Sequence, residues 1–358
     1  MRTFWDLPLL LLITAACSIS LLIIYSINKN LAANQMVFWL VGFLGLAIAS
    51  VFDYRNWQHL SKWLYLSAIV LLVLVFFLGE PVRGSVRWIN LGAFRFQPSE
   101  LAKIASVFTL AAFYKNRSAA AFKNLAFSFL IVLPLITLVF REPDIGNSLS
   151  ILAIWFGVSV ASGFRLKALL TLLIIGALIS IFSYELLAPY QKERINSFIN
   201  PSSDPLATGY NVIQSKIAVG SGKFLGRGLG RGSQSLLNFL PESESDFIFA
   251  AASEQLGLIG AAILIAAFSA VILKVLSYAK DIDRFGALII TGIVSFLLFQ
   301  FVVNIGMNMG LVPVTGITFP LVSYGGSSLV STLFLLGVAL SIKRAKNWGV
   351  KYYEYPVF

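Results

Sequence analysis

Long apolar runs recur along this chain and restrict it to structures that a lipid bilayer can hold. Residues 7–27 read LPLLLLITAACSISLLIIYSI, and residues 64–79 read LYLSAIVLLVLVFFLG. Each approaches the roughly 20 apolar residues that a helix needs to cross the hydrocarbon core. Of the 358 residues, 58% are hydrophobic and 12% are charged, whereas soluble domains are about 45–50% apolar and about 25% charged. The sequence therefore predicts an integral membrane protein.

Hydropathy predicts an all-α polytopic protein with about ten transmembrane helices. We expect them to start near Leu7, Asn34, Ser61, Gln97, Phe122, Asn147, Leu166, Phe247, Phe285 and Gly325. The first run lacks a small-residue cleavage site, so we expect it to stay as the first helix. Residues 1–358 form one domain, in which residues 188–246 are a large extracytoplasmic loop between helices 7 and 8. No internal repeat is evident, which does not favour a secondary transporter.

Basic residues lie in alternate short connectors and orient the chain. The connectors 55–62, 115–123 and 163–167 and the tail 342–351 are basic, so the positive-inside rule predicts that they and both termini are cytoplasmic. The net charge of +11 then reflects loops beside anionic lipid, and we predict no nucleic-acid partner. Cys17 and His59 are the only residues of their types, which excludes disulfides within the chain, cysteine metal sites and His-based triads.

Charged residues are unusually frequent in residues 84–103, which read GSVRWINLGAFRFQPSELAK. This segment comprises an outer connector and the start of a predicted span. Pro98 suits a first helical turn, and Glu100 and Lys103 are neighbours on one helix face. An ionisable group inside a span costs about 2.5–3.5 kcal/mol on insertion scales, so Lys103 needs a partner or a wet cavity. Either it forms a structural pair with Glu100, or it joins Arg87 and Arg95 in receiving an anionic headgroup from the outer leaflet.

The large outer loop is basic and rich in glycine. Its GSGK sequence is not a P-loop, because Ile217 and Phe224 stand where that motif needs Gly and Ser or Thr. Residues 211–222 instead predict a short amphipathic element along the membrane interface. Four cations among the glycines suit either a loop that closes over a phosphate-bearing ligand or a flexible loop that contacts lipid headgroups: Lys216, Lys223, Arg227 and Arg231.

Asp246 follows PESES and immediately precedes an apolar run. A carboxyl group flanked by apolar residues is desolvated, which raises its pKa toward the range useful for a general base. The alternatives are a helix N-cap or, with the neighbouring carboxylates, a ligand of a hard cation such as Mg²⁺. We predict no metal ligands and no certain cofactor. In VSYGGSS, residues 322–328, we expect Ser323 to cap the following helix or to contact sugar hydroxyls, and the alternative is that the motif serves tight helix packing. Asp144 in REPDIG predicts an N-cap.

Four segments together resemble the SEDS family (shape, elongation, division and sporulation). They are residues 84–103, EPDIG at 142–146, residues 200–228 with FLPESESDFIFA at 239–250, and residues 308–328. The resemblance covers nearly the whole chain and is closest to the RodA branch, which serves elongation, rather than the FtsW branch, which serves division. It implies Asp246 as the essential acid of the outer loop and a cavity lined by Trp88, Arg95, Gln97, Glu100 and Lys103.

The resemblance implies a peptidoglycan glycosyltransferase that polymerises lipid II at the outer face of the bacterial cytoplasmic membrane. It also implies a class B penicillin-binding protein as partner, with other membrane proteins of the elongation complex. Asp246 would be the base for the acceptor hydroxyl, and Arg87, Arg95, Lys103 and Lys216 or Arg227 would meet the diphosphate leaving group. The chain departs from the family pattern at Glu244 and Ser245, where His and Thr are usual. The alternatives are a lipid II flippase, a cell-division (FtsW-like) glycosyltransferase and a scaffold that only recruits the transpeptidase.

Overall fold

The computed structural model describes residues 6–82, 85–90, 92, 95–164, 192, 198, 208–237 and 239–347. The predicted seventh helix, beginning near Leu166, and most of segment 188–207 lie outside the described residues. Within the described part, the long helices are α1 (Leu7–Ile27), α2 (Lys29–Val51), α3 (Trp57–Leu78), α4 (Pro98–Tyr114), α5 (Phe122–Arg141), α6 (Ile145–Ala161), α9 (Ile248–Leu276), α10 (Arg284–Asn308) and α11 (Gly326–Asn347). These helices lie where the apolar runs predicted them, so a polytopic helical membrane protein is confirmed.

Smaller elements connect these helices. β1 (Glu80–Val82), β2 (Ser85–Asn90) and β3 (Arg95–Phe96) form an antiparallel sheet in that order, with Ile89 opposite Phe96. The large loop contains α7 (Thr208–Ser221) and the short α8 (Ser233–Leu236). The sheet is an addition to the predicted all-α architecture. Its strands lie in a segment too polar for a span, where backbone groups must find partners outside a helix.

Helix boundaries follow local capping chemistry. Pro98 occupies the first turn of α4, as predicted. The N-cap of α6 is Asp144, whose side chain accepts a hydrogen bond from the Asn147 N–H, which confirms that prediction. The largest difference in a helix start is at α2, which begins at Lys29 instead of near Asn34. The reason is Asn28, whose side chain accepts hydrogen bonds from the N–H groups of Asn30 and Leu31 and so caps a helix that starts earlier.

Seven of the described helices are long and apolar enough to cross a membrane: α1, α2, α3, α5, α9, α10 and α11. The apolar α6 has 17 residues, as does α4, which carries Glu100 and Lys103. The buried helices α4, α6 and α10 contact one another, and α11 packs along α2. Gly337 of α11 lies so close to α2 that a Cβ there would be 2.4 Å from the Leu46 carbonyl oxygen. Small residues commonly permit such contacts between spanning helices.

The two ends of the bundle differ in chemistry. At one end, which we call the basic end, Asp6 forms ion pairs with Lys274 of α9 and Lys343 of α11. At the opposite end, which we call the loop end, lie the small sheet, the turn 142–144, the loop 208–247 and the segment 309–325. The candidate site residues all lie at or near the loop end.

α9 is not one continuous helix. Gly257 has φ +68° and ψ −168° and divides it into two parts. We call residues 248–256, toward the loop end, the outer half, and residues 258–276, toward the basic end, the inner half. A non-glycine residue would be strained at this positive φ. The break lies eleven residues beyond Asp246 along the chain, so the half-helix that follows Asp246 is short.

Candidate active site

Asp246 lies at the loop end, two residues before α9 begins at Ile248. The N-cap position of α9 is Phe247, and the first-turn N–H of Ala250 donates to the Asn308 side chain, so the alternative of Asp246 as N-cap is wrong. Asp246 is half-buried. A Cβ on Gly316 would lie 3.6 Å from Asp246 Oδ2, so the 313–325 segment passes directly beside the carboxylate.

Two asparagines of α10 fix the backbone of Asp246. Asn304 Nδ2 and Asn308 Nδ2 each donate to the Asp246 carbonyl oxygen at 3.0 Å. Asn308 Oδ1 also accepts from the Ala250 N–H at 2.9 Å, and Asn304 Nδ2 donates to the Ile317 carbonyl at 2.7 Å. Both asparagines are fully buried. Their i, i+4 spacing on a spanning helix was visible in the sequence, but their target was not.

Ser323 serves the same backbone. Its hydroxyl donates to the Ser245 carbonyl at 2.7 Å and accepts from the Phe319 N–H at 2.8 Å. The neighbouring Tyr324 N–H donates to the Glu244 carbonyl at 2.8 Å. The side chain of Gln35, buried in α2, donates to the Ser323 carbonyl at 3.2 Å. The loop around Ser323 thus holds the residues immediately before Asp246, and the predicted sugar contact of Ser323 stays a prediction.

Lys103 is the centre of a buried polar cluster. Its Nζ lies 2.7 Å from Glu100 Oε1 and 2.9 Å from Asn147 Oδ1, and 4.9 Å from the centroid of the Phe296 ring. The other Glu100 oxygen accepts from Ser331 Oγ at 2.5 Å. Lys103 is 1% exposed, so the structural pair with Glu100 is present. Headgroup binding by Lys103, the other interpretation, stays a prediction.

Gln97 and Asp144 extend this cluster toward the loop end. Gln97 Nε2 donates to Asp144 Oδ2 at 3.1 Å, and Asn147 Nδ2 donates to the same oxygen at 2.8 Å. Both Gln97 and Asp144 are buried. The Gln97 N–H donates to Ser327 Oγ at 3.2 Å, and Ser327 Oγ donates to the Arg95 carbonyl at 2.9 Å. The predicted residues Arg95, Gln97, Glu100 and Lys103 therefore form one connected structure with α6 and α11.

The segment between α10 and α11 joins this cluster to the Asp246 region. A Cβ on Gly146, at the start of α6, would lie 2.8 Å from the Thr315 carbonyl oxygen and 2.5 Å from Ile317 Cγ1. The next residue, Gly316, is the one beside the Asp246 carboxylate. Residues 313–328 consequently form a wall shared by Asp246 and the buried polar cluster around Lys103, although these lie in distant parts of the sequence.

Arg87 and Trp88 lie on β2 and are both half-buried. The Arg87 guanidinium donates to the carbonyl of Glu142 at 3.0 Å and to that of Pro143. Arg87 thus ties the small sheet to the turn before α6. Arg95, on β3, is exposed, so of the three predicted residues on the sheet it has the most accessible side chain.

Glu142 is a carboxyl group that the sequence did not single out. It is 1% exposed, and neither carboxyl oxygen has a hydrogen-bond partner among the described residues. Burial and the nearby Asp144 raise the pKa of Glu142 to about 9, with Arg87 acting in the opposite direction. The group lies in the turn after α5 and is protonated at neutral pH, which explains how it tolerates burial.

Lys216 and Arg227 occupy different places on the large loop at the loop end. Lys216 on α7 packs over Gly310, where a Cβ would lie 1.9 Å from Lys216 Cε, and the adjacent Ser215 hydroxyl donates to the Asn308 carbonyl. Lys216 is exposed and lies at the end of α10 that holds Asp246. Arg227 is also exposed, but its guanidinium reaches Ser221 and Ser233 within the loop.

The carboxylates of Glu242 and Glu244, just before Asp246, each contact a neighbouring serine hydroxyl. Ser245 Oγ donates to Glu242 Oε2 at 3.0 Å, and Glu244 Oε2 lies 3.5 Å from Ser243 Oγ. Among the described residues, no three His, Cys, Asp or Glu side chains come together as a cation site. The alternative of Mg²⁺ at these carboxylates stays an untested prediction.

The chain is similar in sequence to several known proteins along nearly its whole length. The chain is 37% identical over 353 residues to Peptidoglycan glycosyltransferase MrdB of Escherichia coli K12, covering 95% of each. It is 35% identical to Stage V sporulation protein E of Bacillus subtilis, covering 97% and 99%. It is 34% identical to a probable peptidoglycan glycosyltransferase FtsW of Trichlorobacter lovleyi, covering 94% and 93%.

Solved structures agree with these relatives. A chain from a peptidoglycan synthase complex that coordinates polymerization and crosslinking matches with a TM-score of 0.84 and 29% identity, over 96% and 98% of the two chains. Rod shape determining protein RodA of Thermus thermophilus matches with a TM-score of 0.73 and 27% identity, over 96% and 97%. The family model described as cell cycle protein, FtsW/RodA/SpoVE, matches residues 1–348. The chain therefore belongs to the FtsW/RodA/SpoVE family, which is the SEDS family that its motifs predicted.

Proposed function

We propose that this chain is a peptidoglycan glycosyltransferase that polymerises lipid II into β-1,4-linked glycan strands. The observation that carries the proposal is the placement of Asp246, a half-buried carboxylate at the loop end whose backbone is held by Asn304 and Asn308. Relatives at 34–37% identity are named peptidoglycan glycosyltransferases, in support. A firmly positioned carboxylate suits a general base, because proton transfer depends first on geometry.

Asp246 would act on the acceptor sugar. Its carboxylate takes the proton of the acceptor 4-hydroxyl while the oxygen attacks the anomeric carbon of the donor. The bond from that carbon to the diphosphate breaks, and undecaprenyl diphosphate leaves with the electron pair. Direct displacement inverts the α-linked donor into a β-1,4 linkage. The acid lies where an apolar helix begins, which is the depth at which a lipid-linked sugar meets the membrane surface.

Exposed cations would meet the departing diphosphate. Arg95 and Lys216 are both exposed at the loop end, Arg95 beside the shared wall and Lys216 beside the end of α10. We assign Arg95 and Lys216 as the main groups that bind the leaving diphosphate. Arg227 lies further out on the loop and is a secondary candidate. Lys103 and Arg87 already have partners, so we assign them to shaping the cavity. Oriented cations at a developing charge commonly contribute factors of about 10² or more in rate.

The protein is a multi-pass bacterial membrane protein, and we propose the following orientation in the membrane. The basic end faces the cytoplasm with both termini, and the loop end faces outward, where lipid II is polymerised. The distribution of lysine and arginine supports this orientation. The division of labour follows: the basic end anchors the bundle at anionic lipid, and the loop end carries the chemistry.

A class B penicillin-binding protein is the proposed partner, since a similar chain belongs to a synthase complex that coordinates polymerization with crosslinking. We assign the chain to the elongation branch and to rod-shape maintenance, because the match to MrdB is 37% identical against 34% for FtsW. Other elongation-complex membrane proteins would assemble around this pair.

The test is lipid II polymerisation by the purified protein, with and without its class B penicillin-binding protein. Wild type should form glycan strands. Asp246→Asn, which cannot accept the proton, should reduce the rate by at least about 10²-fold while keeping the melting temperature. Asp53→Asn, at the basic end, is the matched control and should keep the rate.

The outcomes separate the competing functions. Strands that vanish in Asp246→Asn but persist in Asp53→Asn establish the glycosyltransferase and its base. A near-normal rate for Asp246→Asn removes Asp246 from the chemistry. Folded wild-type protein that binds lipid II and forms no strands, even with its partner, overturns the proposal in favour of a flippase or a scaffold.

A further inference from the structure

The outer loop completes the broken helix α9. In a continuous helix the N–H groups of Leu258 and Ile259 would donate to the carbonyls of Glu254 and Gln255. The break at Gly257 removes both bonds. Leu258 N–H donates instead to the Lys223 carbonyl at 2.8 Å, and Ile259 N–H to the Phe224 carbonyl at 3.2 Å.

The two freed carbonyls find donors in the same loop. Arg227 N–H donates to the Glu254 carbonyl at 2.9 Å, and Gly228 N–H donates to the Gln255 carbonyl at 3.0 Å. Every donor and acceptor of the two missing helical bonds is therefore satisfied by residues 223–228. Unsatisfied backbone groups at membrane depth cost several kcal/mol each, roughly, so the break and the loop need each other. We call residues 222–235 the latch.

Glycines make this backbone contact fit. A Cβ on Gly222 would lie 1.9 Å from the Ser253 carbonyl oxygen, and one on Gly226 would lie 2.2 Å from the Gln255 carbonyl oxygen. A Cβ on Gly257 would lie 2.2 Å from the Gly226 nitrogen. Part of the glycine content that suggested a phosphate-binding loop is thus used for contact with α9.

Glu254 adds a side-chain attachment to the same latch. One carboxylate oxygen accepts from the Gln234 N–H at 2.8 Å, and the other from the Ser235 N–H at 3.0 Å and the Ser235 hydroxyl at 2.8 Å. Glu254 is 0% exposed, and no lysine or arginine pairs with it among the described residues. A Cβ on Gly232 would lie 2.5 Å from Glu254 Oε2, so this approach also needs a glycine.

Asp246 and Glu254 are fixed at opposite ends of the outer half of α9. At the Asp246 end the attachment is to Asn304 and Asn308 of α10. At the Glu254 end it is to the latch, because the helical bonds to the inner half are missing. The outer half is therefore held by α10 at its Asp246 end and by the latch at its Glu254 end, and its alignment depends on both attachments.

We propose that Glu254 is a positioning residue for Asp246 and that the latch transmits the position of the outer loop to the catalytic carboxylate. The inference rests on the proposed role of Asp246. A displacement of residues 222–235 would therefore change the alignment of the base. Glu254 itself contacts neither the acceptor nor the donor.

The test compares two glycine variants that are two residues apart. Gly222→Ala inserts a methyl group between the latch and the outer half of α9. Gly220→Ala is the matched control, because a Cβ there meets no atom within 4 Å. Glu254→Gln and Ser235→Ala remove the carboxylate charge and one donor from the other side of the contact. All are measured as full-length protein with its penicillin-binding partner, by kcat, KM, melting temperature and the pH profile of kcat.

Gly222→Ala and Glu254→Gln should lower kcat at least about tenfold, since a misplacement of about 1 Å can cost 10²-fold. Their KM should stay within about twofold, and the pH at which kcat is half-maximal should move. Ser235→Ala should show a smaller loss of kcat with the same signature, and Gly220→Ala should match wild type. If a variant only reduced the amount of folded protein, the apparent kcat would fall in proportion, while KM and the pH profile of kcat would stay as in wild type. The shift in the pH profile therefore distinguishes the two cases.

Two results keep this inference separate from the proposed function. If Asp246→Asn is inactive but Gly222→Ala, Glu254→Gln and Ser235→Ala retain the wild-type kcat and pH profile, the positioning role is refuted and the glycosyltransferase stands. The positioning role is also refuted if these variants lose rate only in proportion to folded protein. If Asp246→Asn retains activity, the proposed base and the positioning role fail together.

Discussion

At the scale of single residues, burial decides what each charge can do. Lys103 and Glu100 are both nearly inaccessible, and each uses its hydrogen-bonding groups within the cluster formed with Asn147 and Ser331. A buried ion pair offers little net stability compared with apolar residues, but loss of one partner leaves an uncompensated charge. The pair therefore fixes the arrangement of α4, α6 and α11 rather than strengthening the core.

We expect single substitutions in this pair to cost more than the double one. Lys103→Met or Glu100→Gln alone should lower the free energy of unfolding by about 3–5 kcal/mol, because a buried charge loses its partner. Lys103→Met combined with Glu100→Gln should recover a large part of that loss. Thermal unfolding in detergent measures all three. Equal destabilisation by the double variant and the sum of the single variants would show that the two residues do not act as a pair.

Glu142 predicts a pH dependence of stability. Its pKa of about 9 in the folded protein exceeds the value near 4.3 of a free Glu, so the folded state binds a proton that the unfolded state has released. Between these values stability falls as pH rises, by about 1.4 kcal/mol per pH unit for one proton. Glu142→Gln mimics the protonated form and should remove this slope.

The measurement is the melting temperature of wild type and Glu142→Gln from pH 5 to pH 9. The variant should match wild type at the acid end and exceed it increasingly toward the alkaline end. A constant difference across the range would mean that Glu142 is not the group that titrates.

At the scale of elements, close backbone contacts join helices that lie far apart in sequence. α2 and α11 meet at Gly42 and Gly337, and a Cβ on Gly42 would lie 2.5 Å from Leu333 Cδ1. α6 and α10 meet at Gly157, where a Cβ would lie 1.8 Å from Ser295 Oγ. Spanning helices gain stability from such packing because lipid offers no hydrophobic drive for association. Glycine is needed at these places for closeness rather than for backbone freedom.

A pair of glycine variants tests this contact. Gly337→Ala should lower the melting temperature, because the new methyl group would meet the Leu46 carbonyl of α2, 2.4 Å away. Gly45→Ala is the control, since a Cβ there meets nothing within 4 Å. It should be neutral or stabilising by up to about 1 kcal/mol from helix propensity alone. An equal effect of the two substitutions on thermal unfolding would contradict the close α2–α11 packing.

At the scale of the whole molecule, the two ends have separate tasks. At the basic end, Asp6 accepts from Lys343 and lies 3.3 Å from Lys274, and Lys346 pairs with Asp281. These contacts join the start of α1 to the ends of α9 and α11. At the loop end, polar contacts hold loops around a carboxylate instead. The bundle is thus closed by ion pairs at one end and carries the proposed catalytic carboxylate at the other.

The sequence by itself determined the membrane class, the places of the described spanning helices and the family. Apolar runs of spanning length are a local property, because lipid requires every backbone bond within a span to be made internally. Local capping was predictable for the same reason: Pro98 and Asp144 act on residues within one turn of themselves. The motif that places Asp246 before α9 was also readable without any structure.

Only the tertiary structure decided which polar groups meet. The bond from Ser331 to Glu100 joins residues 231 positions apart, and the bond from Asn304 to the Asp246 carbonyl joins residues 58 apart. In the sequence, Gly257 is an ordinary glycine in an apolar run. Only the fold shows that it breaks α9 and that the latch supplies the missing hydrogen bonds. Helix formation depends on neighbours in sequence, whereas satisfaction of buried polar groups depends on neighbours in space. That physical difference separates what the sequence predicts here from what the fold decides.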